Sequence, residues 1–255
     1  MTTLFISDLH LDENRPDITQ AFYEFLDQRA LNADELYILG DFFEVWIGDD
    51  EDSSFAAQVR KHLRKLTDNG TELFLMGGNR DFLLGKNFAE SIGATLLEDP
   101  TVIDLYGERV LLMHGDSLCT LDTEYMAFRA QARSEQFQQD LLSQPLEQRR
   151  ALAKQLREQS KNMNSLKAED IMDVTAEEVV KAMDDAQVQV MIHGHTHRPA
   201  YHPVELAYEE RGERIVLGDW DTDLWWIEAC PETALSLNKQ AIEPATNGTE
   251  QPSDA

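Results

Sequence analysis

Apolar residues recur along the first hundred positions in two alternating rhythms. Leu4-Phe5-Ile6, Leu36-Tyr37-Ile38-Leu39 and Leu73-Phe74-Leu75-Met76 are short runs with the length and composition of strands. Between them, Ile18 to Arg29 sets Phe22, Phe25 and Leu26 at helical spacing, and Ser54 to Asp68 predicts a second helix. Strands separated by helices indicate βαβ units, in which ligands bind beyond the carboxyl ends of the strands. The rhythm then changes. Val102 to Leu105 and Val110 to Met113 flank Tyr106-Gly107-Glu108-Arg109 and predict a hairpin. From Leu121 to Lys181 no strand signal appears; Gln, Glu, Lys, Arg, Ala and Leu dominate, and only Pro145 interrupts. Two or more helices are expected there. Val188 to Ile192, Arg214 to Leu217 and Leu224 to Ala229 predict three further strands. Glu243 to Ala255, rich in Pro, Asn, Ser and acids, is expected to be a disordered tail.

At 255 residues and 42% hydrophobic content the chain is long enough for one large domain or a domain with a sizeable insertion. No apolar stretch approaches the roughly 20 residues that span a bilayer, and the first residues enter a strand without a basic leader. Cys119 and Cys230 are far apart and outside any CxxC spacing, as expected of reduced thiols. The sequence therefore predicts a cytosolic protein. The charge balance is strongly acidic, 22 Lys and Arg against 48 Asp and Glu for a formal −26. That disfavours general nucleic-acid binding, which needs a positive surface. An anionic substrate would need metal ions or a local basic patch to reverse the field.

Both are indicated. Five short motifs each follow a predicted strand: Asp8-Leu9-His10, Gly40-Asp41, Gly78-Asn79-Arg80-Asp81, His114-Gly115-Asp116 and His193-Gly194-His195-Thr196-His197. Their donors are carboxylate and amide oxygen and imidazole nitrogen, with no cysteine, a set that suits first-row divalent ions. A carboxylate shared between two such ions is the arrangement that activates water against phosphorus esters. Singly the motifs say little, since Gly-Asp occurs in many turns and a lone buried His is usually a core residue. His195 and His197, two apart on an extended segment, present both imidazoles on one side.

The order D-x-H, G-D, G-N, H-G-D, G-H-x-H resembles that of the calcineurin-like metallophosphoesterases, over roughly residues 1–120 and 188–235. Within that superfamily the strings FISDLHLDENRP, ILGDFFEVWIGDD, LMGGNRDFLLG, LMHGDSLCT and MIHGHTHRPA look closest to the UDP-2,3-diacylglucosamine pyrophosphohydrolase family of lipid A biosynthesis. The resemblance implies a four-layer α/β/β/α sandwich, with a metallophosphoesterase core in 1–120 and 188–242, a helical lid insert in 121–187 and the tail at 243–255. It implies two Mn2+ ions, one on Asp8, His10, Asp41 and His197, the other on Asp41, Asn79, His114 and His195. Asp41 would bridge them. Water would attack the α-phosphorus of UDP-2,3-diacylglucosamine, giving UMP and 2,3-diacylglucosamine 1-phosphate (lipid X). Asp41, Asn79, Arg80 and His195 would be catalytic. Asn79, Arg80, Asp122, Ser160, Asn164, Lys167 and His195 would contact substrate. No protein partner is implied. Another metallophosphoesterase, cleaving a monoester or a cyclic nucleotide, and a non-catalytic metal-binding scaffold are the alternatives.

Two positions depart from the broad superfamily. Its G-D-x-x-D ends here in Glu44, and its G-N-H becomes Gly78-Asn79-Arg80. The missing histidine commonly protonates an alkoxide leaving group. A sugar phosphate is acidic enough to leave without that help, and an arginine instead binds a diphosphate bidentately. Arg80 therefore favours a pyrophosphatase.

The predicted insert has its own electrostatics. Eight basic residues, Arg129, Arg133, Arg149, Arg150, Lys154, Arg157, Lys161 and Lys167, face four acids, Glu135, Asp140, Glu147 and Glu158, a net +4 that leaves −30 elsewhere. Ser160, Asn164 and Lys167 share a helix face. Leu152, Leu156, Met163 and Leu166 would line an acyl pocket or form an ordinary packing seam. Asp49-Asp50-Glu51-Asp52 is expected to be a solvated loop, and Trp225-Trp226 to be packing. An amphiphilic substrate calls for peripheral contact with the cytoplasmic face of the inner membrane, through the basic insert.

Overall fold

The computed structural model describes residues 1–164, 173–207 and 211–243, with the side chains of 158–164 outside that description. In chain order the first half comprises β1 (Thr3–Ile6), α1 (Pro16–Gln28), β2 (Glu35–Leu39), α2 (Ser54–Asp68), β3 (Glu72–Met76), α3 (Lys86–Ile92), β4 (Thr95–Leu97), β5 (Thr101–Leu105) and β6 (Glu108–Met113). There follow α4 (Thr123–Ala132), α5 (Glu135–Leu142), α6 (Leu146–Asn164), α7 (Ala176–Ala186), β7 (Val190–His193), β8 (Ala200–Val204), β9 (Gly212–Val216), β10 (Asp223–Cys230) and β11 (Thr233–Ala241). The strands form two sheets, ordered β11-β10-β1-β2-β3-β4 and β5-β6-β7-β9-β8.

Strand alternation builds four layers from these two sheets. Phe5, Tyr37, Leu39 and Met76 face inward and meet Val110, Leu112, Val190, Ile192 and Ile215 of the second sheet. Leu4, Ile6, Leu36, Ile38, Leu73 and Leu75 face outward, against Phe22 and Phe25 of α1 and Val59 and Leu63 of α2. On the far side, Leu111, Met113 and Met191 pack on Val179 and Met183 of α7. The expected α/β/β/α sandwich is thus built by a two-residue period read in both directions. Phe5, Tyr37 and Phe74, aligned by the parallel register, stack across three strands at 5.0 and 4.4 Å.

Four elements lie outside the expectation. α3 spans seven residues and β4 three, too short for a periodic signal. β8 is an edge strand that contains Pro203, and β11 is an edge strand of mixed polar residues held by pairing with β10. The helical segment also breaks more often than Pro145 requires: Ser134 caps α5, its Oγ accepting from the Phe137 amide at 3.4 Å. α7, inside the expected 121–187 insert, belongs to the fourth layer because its apolar face is buried on the second sheet. The helices that stand over the strand ends are α4 to α6. Of the expected tail, residues 244–255 lie outside the described part.

The acidic run is a loop with Asp50 and Asp52 exposed, as expected, but its carboxylates are engaged rather than only solvated. Asp49 accepts from the Gly85 and Phe88 amides at the start of α3, both at 3.0 Å. Asp50 pairs with Arg149, and Glu51 and Asp52 pair with Arg150 at 2.7 Å each. Arg149 is 3% exposed and also donates to the carbonyls of Gln144 and Ile47. Gly48, with φ +131°, leaves no room for a Cβ, which would lie 2.4 Å from the Arg149 guanidinium. The run is a clamp for α6. Arg149→Ala should lower stability by about 2 kcal/mol, through the lost pair and two orphaned carbonyls, and speed proteolysis within 133–157. Urea unfolding and limited trypsin digestion measure both effects.

Candidate metal centre

The parallel strands of the two sheets end at one edge, and the predicted residues follow them there: Asp8 and His10 after β1, Asp41 after β2, Asn79 after β3, His114 after β6, His195 and His197 after β7. The chain turns sharply at this edge. Asp8, His10, Asp41, His195 and His197 all have positive φ, between 47° and 65°, a left-handed conformation costly for non-glycine residues. Neighbouring loops hold the turns: the Asp8 amide donates to the Gly40 carbonyl at 3.1 Å, that of His10 to Asp41 at 3.0 Å and that of Gly194 to His114 at 3.0 Å. Close approach demands glycine at several of these turns. A Cβ on Gly78 would lie 2.3 Å from the Asp41 amide nitrogen, and one on Gly194 2.0 Å from Asp8 Oδ2.

The side chains form two overlapping groups. Asp8, His10 and His197 bring one ligand atom each within 4.8 Å of one another, and so do Asp8, Asp41 and His114. His197 Nε2 lies 3.4 Å from Asp8 Oδ1 and 3.4 Å from His10 Nε2. His114 Nε2 and His195 Nδ1 converge on a single oxygen, Asn79 Oδ1, at 2.9 and 2.8 Å. Asp41 faces both groups, with Oδ2 3.8 Å from His10 Nε2 and Oδ1 3.6 Å from His114 Nε2. All seven predicted metal-ligand residues are therefore assembled.

Asp8 and Asp41 are 0% and 2% exposed, and among the described residues their ion pairs are with imidazoles alone. Burial works to raise the Asp8 carboxyl, but the His197 hydrogen bond and charge, with His114 and His10, hold it far below the usual carboxylate range. Burial likewise opposes charge on His114, yet Asp41 and Asp8 push it up to about 9. His197 also stands at about 9, raised against burial by Asp8. His195 is down at about 4, through burial and the charge of His114. Buried carboxylates so dependent on neighbouring cations, in a set of oxygen and imidazole donors, fit divalent metal ions.

Several residues without an expected role complete the site. Asp81 is 0% exposed and accepts from the amides of Phe42, Phe43 and Gly78 at 2.8, 3.2 and 2.6 Å. It ties the Asp41 loop to the Asn79 loop. Burial, with Asp41 nearby, pushes its carboxyl up to about 6. Glu44 Oε2 sits 3.1 Å from His10 Nδ1, and Asp219 Oδ2 3.5 Å from His197 Nδ1. Asp116 accepts from Tyr125 Oη at 2.6 Å and Arg129 Nε at 2.8 Å, and the Tyr125 ring stacks on His195 with centroids 6.0 Å apart. Asp81, Glu44 and Asp116 lay inside the quoted motifs, so spacing marked them; Asp219 and Tyr125 carried no signal of their own.

Beside this centre a cavity of about 260 Å3 runs beneath the insert, with Asn79 and Arg80 in its wall and Trp46, Phe82, Phe128, Leu152 and Leu156 among its lining. Leu152 and Leu156 were acyl-pocket candidates; Met163 and Leu166 lie outside the described side chains. Asp122 caps α4, its Oδ1 accepting from the Tyr125 amide at 3.0 Å. Ser160, Asn164 and Lys167 likewise lie outside the described side chains. The basic residues of the insert are largely engaged with the core. Arg129, Arg149, Arg150 and Arg157 pair with Asp116, Asp50, Glu51 and Glu44, and Arg133 donates to the Gly78 carbonyl at 3.0 Å.

The family model for calcineurin-like phosphoesterases matches residues 1–199, and the chain belongs to that family. A UDP-2,3-diacylglucosamine hydrolase of Marinobacter nauticus is 58% identical over 95% of this chain and 99% of its own length. Proteins of the same name from Cellvibrio japonicus and Pseudomonas aeruginosa are 57% and 54% identical, over 95% and 89% of this chain and 100% and 95% of theirs.

Asp81→Ala would orphan three buried amides, at about 1–3 kcal/mol each. It should lower stability by several times the loss in Asp81→Asn, which retains an acceptor. Urea unfolding in chelator, where metal cannot mask the effect, makes the comparison.

Proposed function

We propose that this protein hydrolyses the pyrophosphate bond of UDP-2,3-diacylglucosamine, by attack of water on the α-phosphorus, to give UMP and 2,3-diacylglucosamine 1-phosphate. The observation that carries the reading is the join between a phosphoesterase centre and an apolar cavity, with Asn79 and Arg80 in the wall they share. A small soluble phosphoester has no use for such a cavity; a diacylated sugar does. The names of relatives at 51–58% identity support the same substrate.

Asp8, His10, Asp41 and His197 would hold one divalent ion, and Asp41, Asn79, His114 and His195 a second, with a different oxygen of Asp41 facing each group. Manganese suits these donors. Bound there, two such ions supply Lewis acidity at the phosphoryl oxygens and lower the pKa of water. The chain does the rest. Asn79 and His195 orient the diphosphate at the edge where the loops meet. Arg80 binds it and neutralises charge that builds on the departing sugar phosphate. The cavity takes the acyl chains out of water, which fixes the sugar end and leaves UMP to depart outward. Asp122, Ser160, Asn164 and Lys167 would contact the remainder of the substrate. Residues 1–120 and 188–242, joined by α7, act as the core, and α4 to α6 of the 121–187 insert act as the lid.

No helix among the described residues is long and apolar enough to cross a membrane. Leu121 and Leu142, at 60% and 43% exposed, put apolar side chains on the outside of the insert. They support peripheral contact with the cytoplasmic face of the inner membrane, where a lipid-linked substrate resides.

Hydrolysis in heavy-oxygen water should put the label in UMP and none in the lipid product; label in the lipid would place attack on the other phosphorus. Chelation and Asp41→Ala should each abolish turnover, and only the chelated wild type should recover with Mn2+. On anionic liposomes, a variant carrying Leu121→Asp and Leu142→Asp should float less than wild type. Equal flotation would remove the insert from membrane contact.

A further inference from the structure

Glu44, one of the two residues that depart from the superfamily pattern, stands between a candidate metal ligand and the insert. Its amide donates to the Leu11 carbonyl at 3.1 Å, which fixes it beside the loop that carries His10. Its side chain, 17% exposed, reaches in two directions. Oε2 lies 3.1 Å from His10 Nδ1, and Oε1 contacts the guanidinium of Arg157 on α6. The other ring nitrogen of His10, Nε2, is turned toward Asp41 Oδ2 and His197 Nε2, at 3.8 and 3.4 Å. His10 thus has one nitrogen for a metal and one left to be oriented, and Glu44 is the carboxylate at the second. In that geometry the two pair by charge without closing a hydrogen bond, and the negative charge beside Nδ1 favours the proton there and the lone pair on Nε2. The extra methylene of glutamate over aspartate is what lets one carboxylate meet a core histidine and an insert arginine together. Arg157 and Glu44 both also line the apolar cavity.

We propose that Glu44 is a positioning residue: it holds His10 in the ligating tautomer and is itself held by Arg157, so that docking of α6 sets the affinity of the metal centre. The inference rests on His10 being a metal ligand. The relay gives the insert a means of acting on the centre without touching a metal ion. By reciprocity, occupancy of the cavity that shifts Arg157 changes metal affinity, and metal binding changes how the insert seats.

The test is a Mn2+ titration of the full-length protein followed by electron paramagnetic resonance, without substrate, beside thermal melting in chelator. Glu44→Ala should weaken binding about 10–100-fold, the range for removal of a group that orients a metal-bound histidine. Arg157→Ala should weaken it severalfold. The double variant should bind no more weakly than Glu44→Ala alone, because the arginine acts through the glutamate. Glu44→Gln keeps an acceptor and loses the ion pair, so it should fall between wild type and Glu44→Ala, and it decides the matter if the alanine variant does not fold. A packing role alone would lower the melting temperature in chelator and leave Mn2+ affinity at the wild-type value. Wild-type affinity in Glu44→Ala or Glu44→Gln, or losses that multiply in the double variant, would overturn the relay. A wild type that takes up no Mn2+ would overturn the metal assignment itself, a failure distinguishable from the first.

Discussion

Everything at the functional edge follows from burying two carboxylates, Asp8 and Asp41, where the two sheets meet. Burying an ion costs several kcal/mol even after relaxation, so each is met from several sides. Asp8 accepts from Ser7 Oγ at 2.6 Å and from the His195 amide at 2.9 Å, and Asp41 from the Arg80 amide at 2.7 Å. The His195 amide is aimed inward from a left-handed residue, and the loops hold their shape because Asp81 and the cross-loop carbonyl bonds tie them together. The histidines complete the neutralisation until a cation does it better. The strain, the glycines and the buried Asp81 carboxylate are thus consequences of one electrostatic requirement.

The same requirement, at larger scale, explains the insert. A chain of formal charge −26 carries a segment of the opposite sign, and that segment stands beside the edge that holds Asp8 and Asp41. Most of that positive charge is spent on docking: Arg149 and Arg150 seize the 50–52 run, Arg129 and Arg133 reach Asp116, and Arg157 meets Glu44. A charge reversal presented to substrate was the natural expectation from composition. The structure instead uses these arginines as tethers and leaves the cavity walls largely apolar, with Arg80 and Arg157 at the end nearest the metal centre and Arg149 paired with Asp50. An amphiphilic diphosphate needs that division, cation at one end and hydrocarbon at the other.

The parts legible in the sequence were those with a local signal. β1, β2, β3, α1 and α2 follow periods that a few residues display, and the metal set declares itself because every member ends a strand. The four-layer architecture came from family resemblance, and the structure shows its physical basis in alternation, with Tyr37 and Leu39 facing one core and Leu36 and Ile38 the other. Less legible were features made by long-range contact. β11 is a strand because β10 lies beside it, Asp81 matters because three amides from two loops meet it, and Asp50 is a tether because Arg149 arrives from a hundred residues away. No window along the chain contains both halves of such an interaction.

Position 80 shows how a phosphoesterase centre acquires a substrate without losing its frame. The backbone there is structural: the Arg80 amide holds Asp41 Oδ1 at 2.7 Å and its carbonyl accepts from the Trp46 amide at 3.3 Å. Neither contact depends on which side chain the residue carries. Histidine and arginine are therefore interchangeable as far as the Asp41 carboxylate is concerned, while their chemistry diverges. A histidine offers a proton, which an alkoxide leaving group needs and a sugar phosphate does not. An arginine offers a permanent charge in a planar fork, which suits a diphosphate and is indifferent to pH in the range where imidazole titrates. Because the same residue also walls the apolar cavity, a side chain suited to a diphosphate stands beside walls suited to hydrocarbon. Specificity is carried by side chains hung on a backbone whose own hydrogen bonds serve the metal centre.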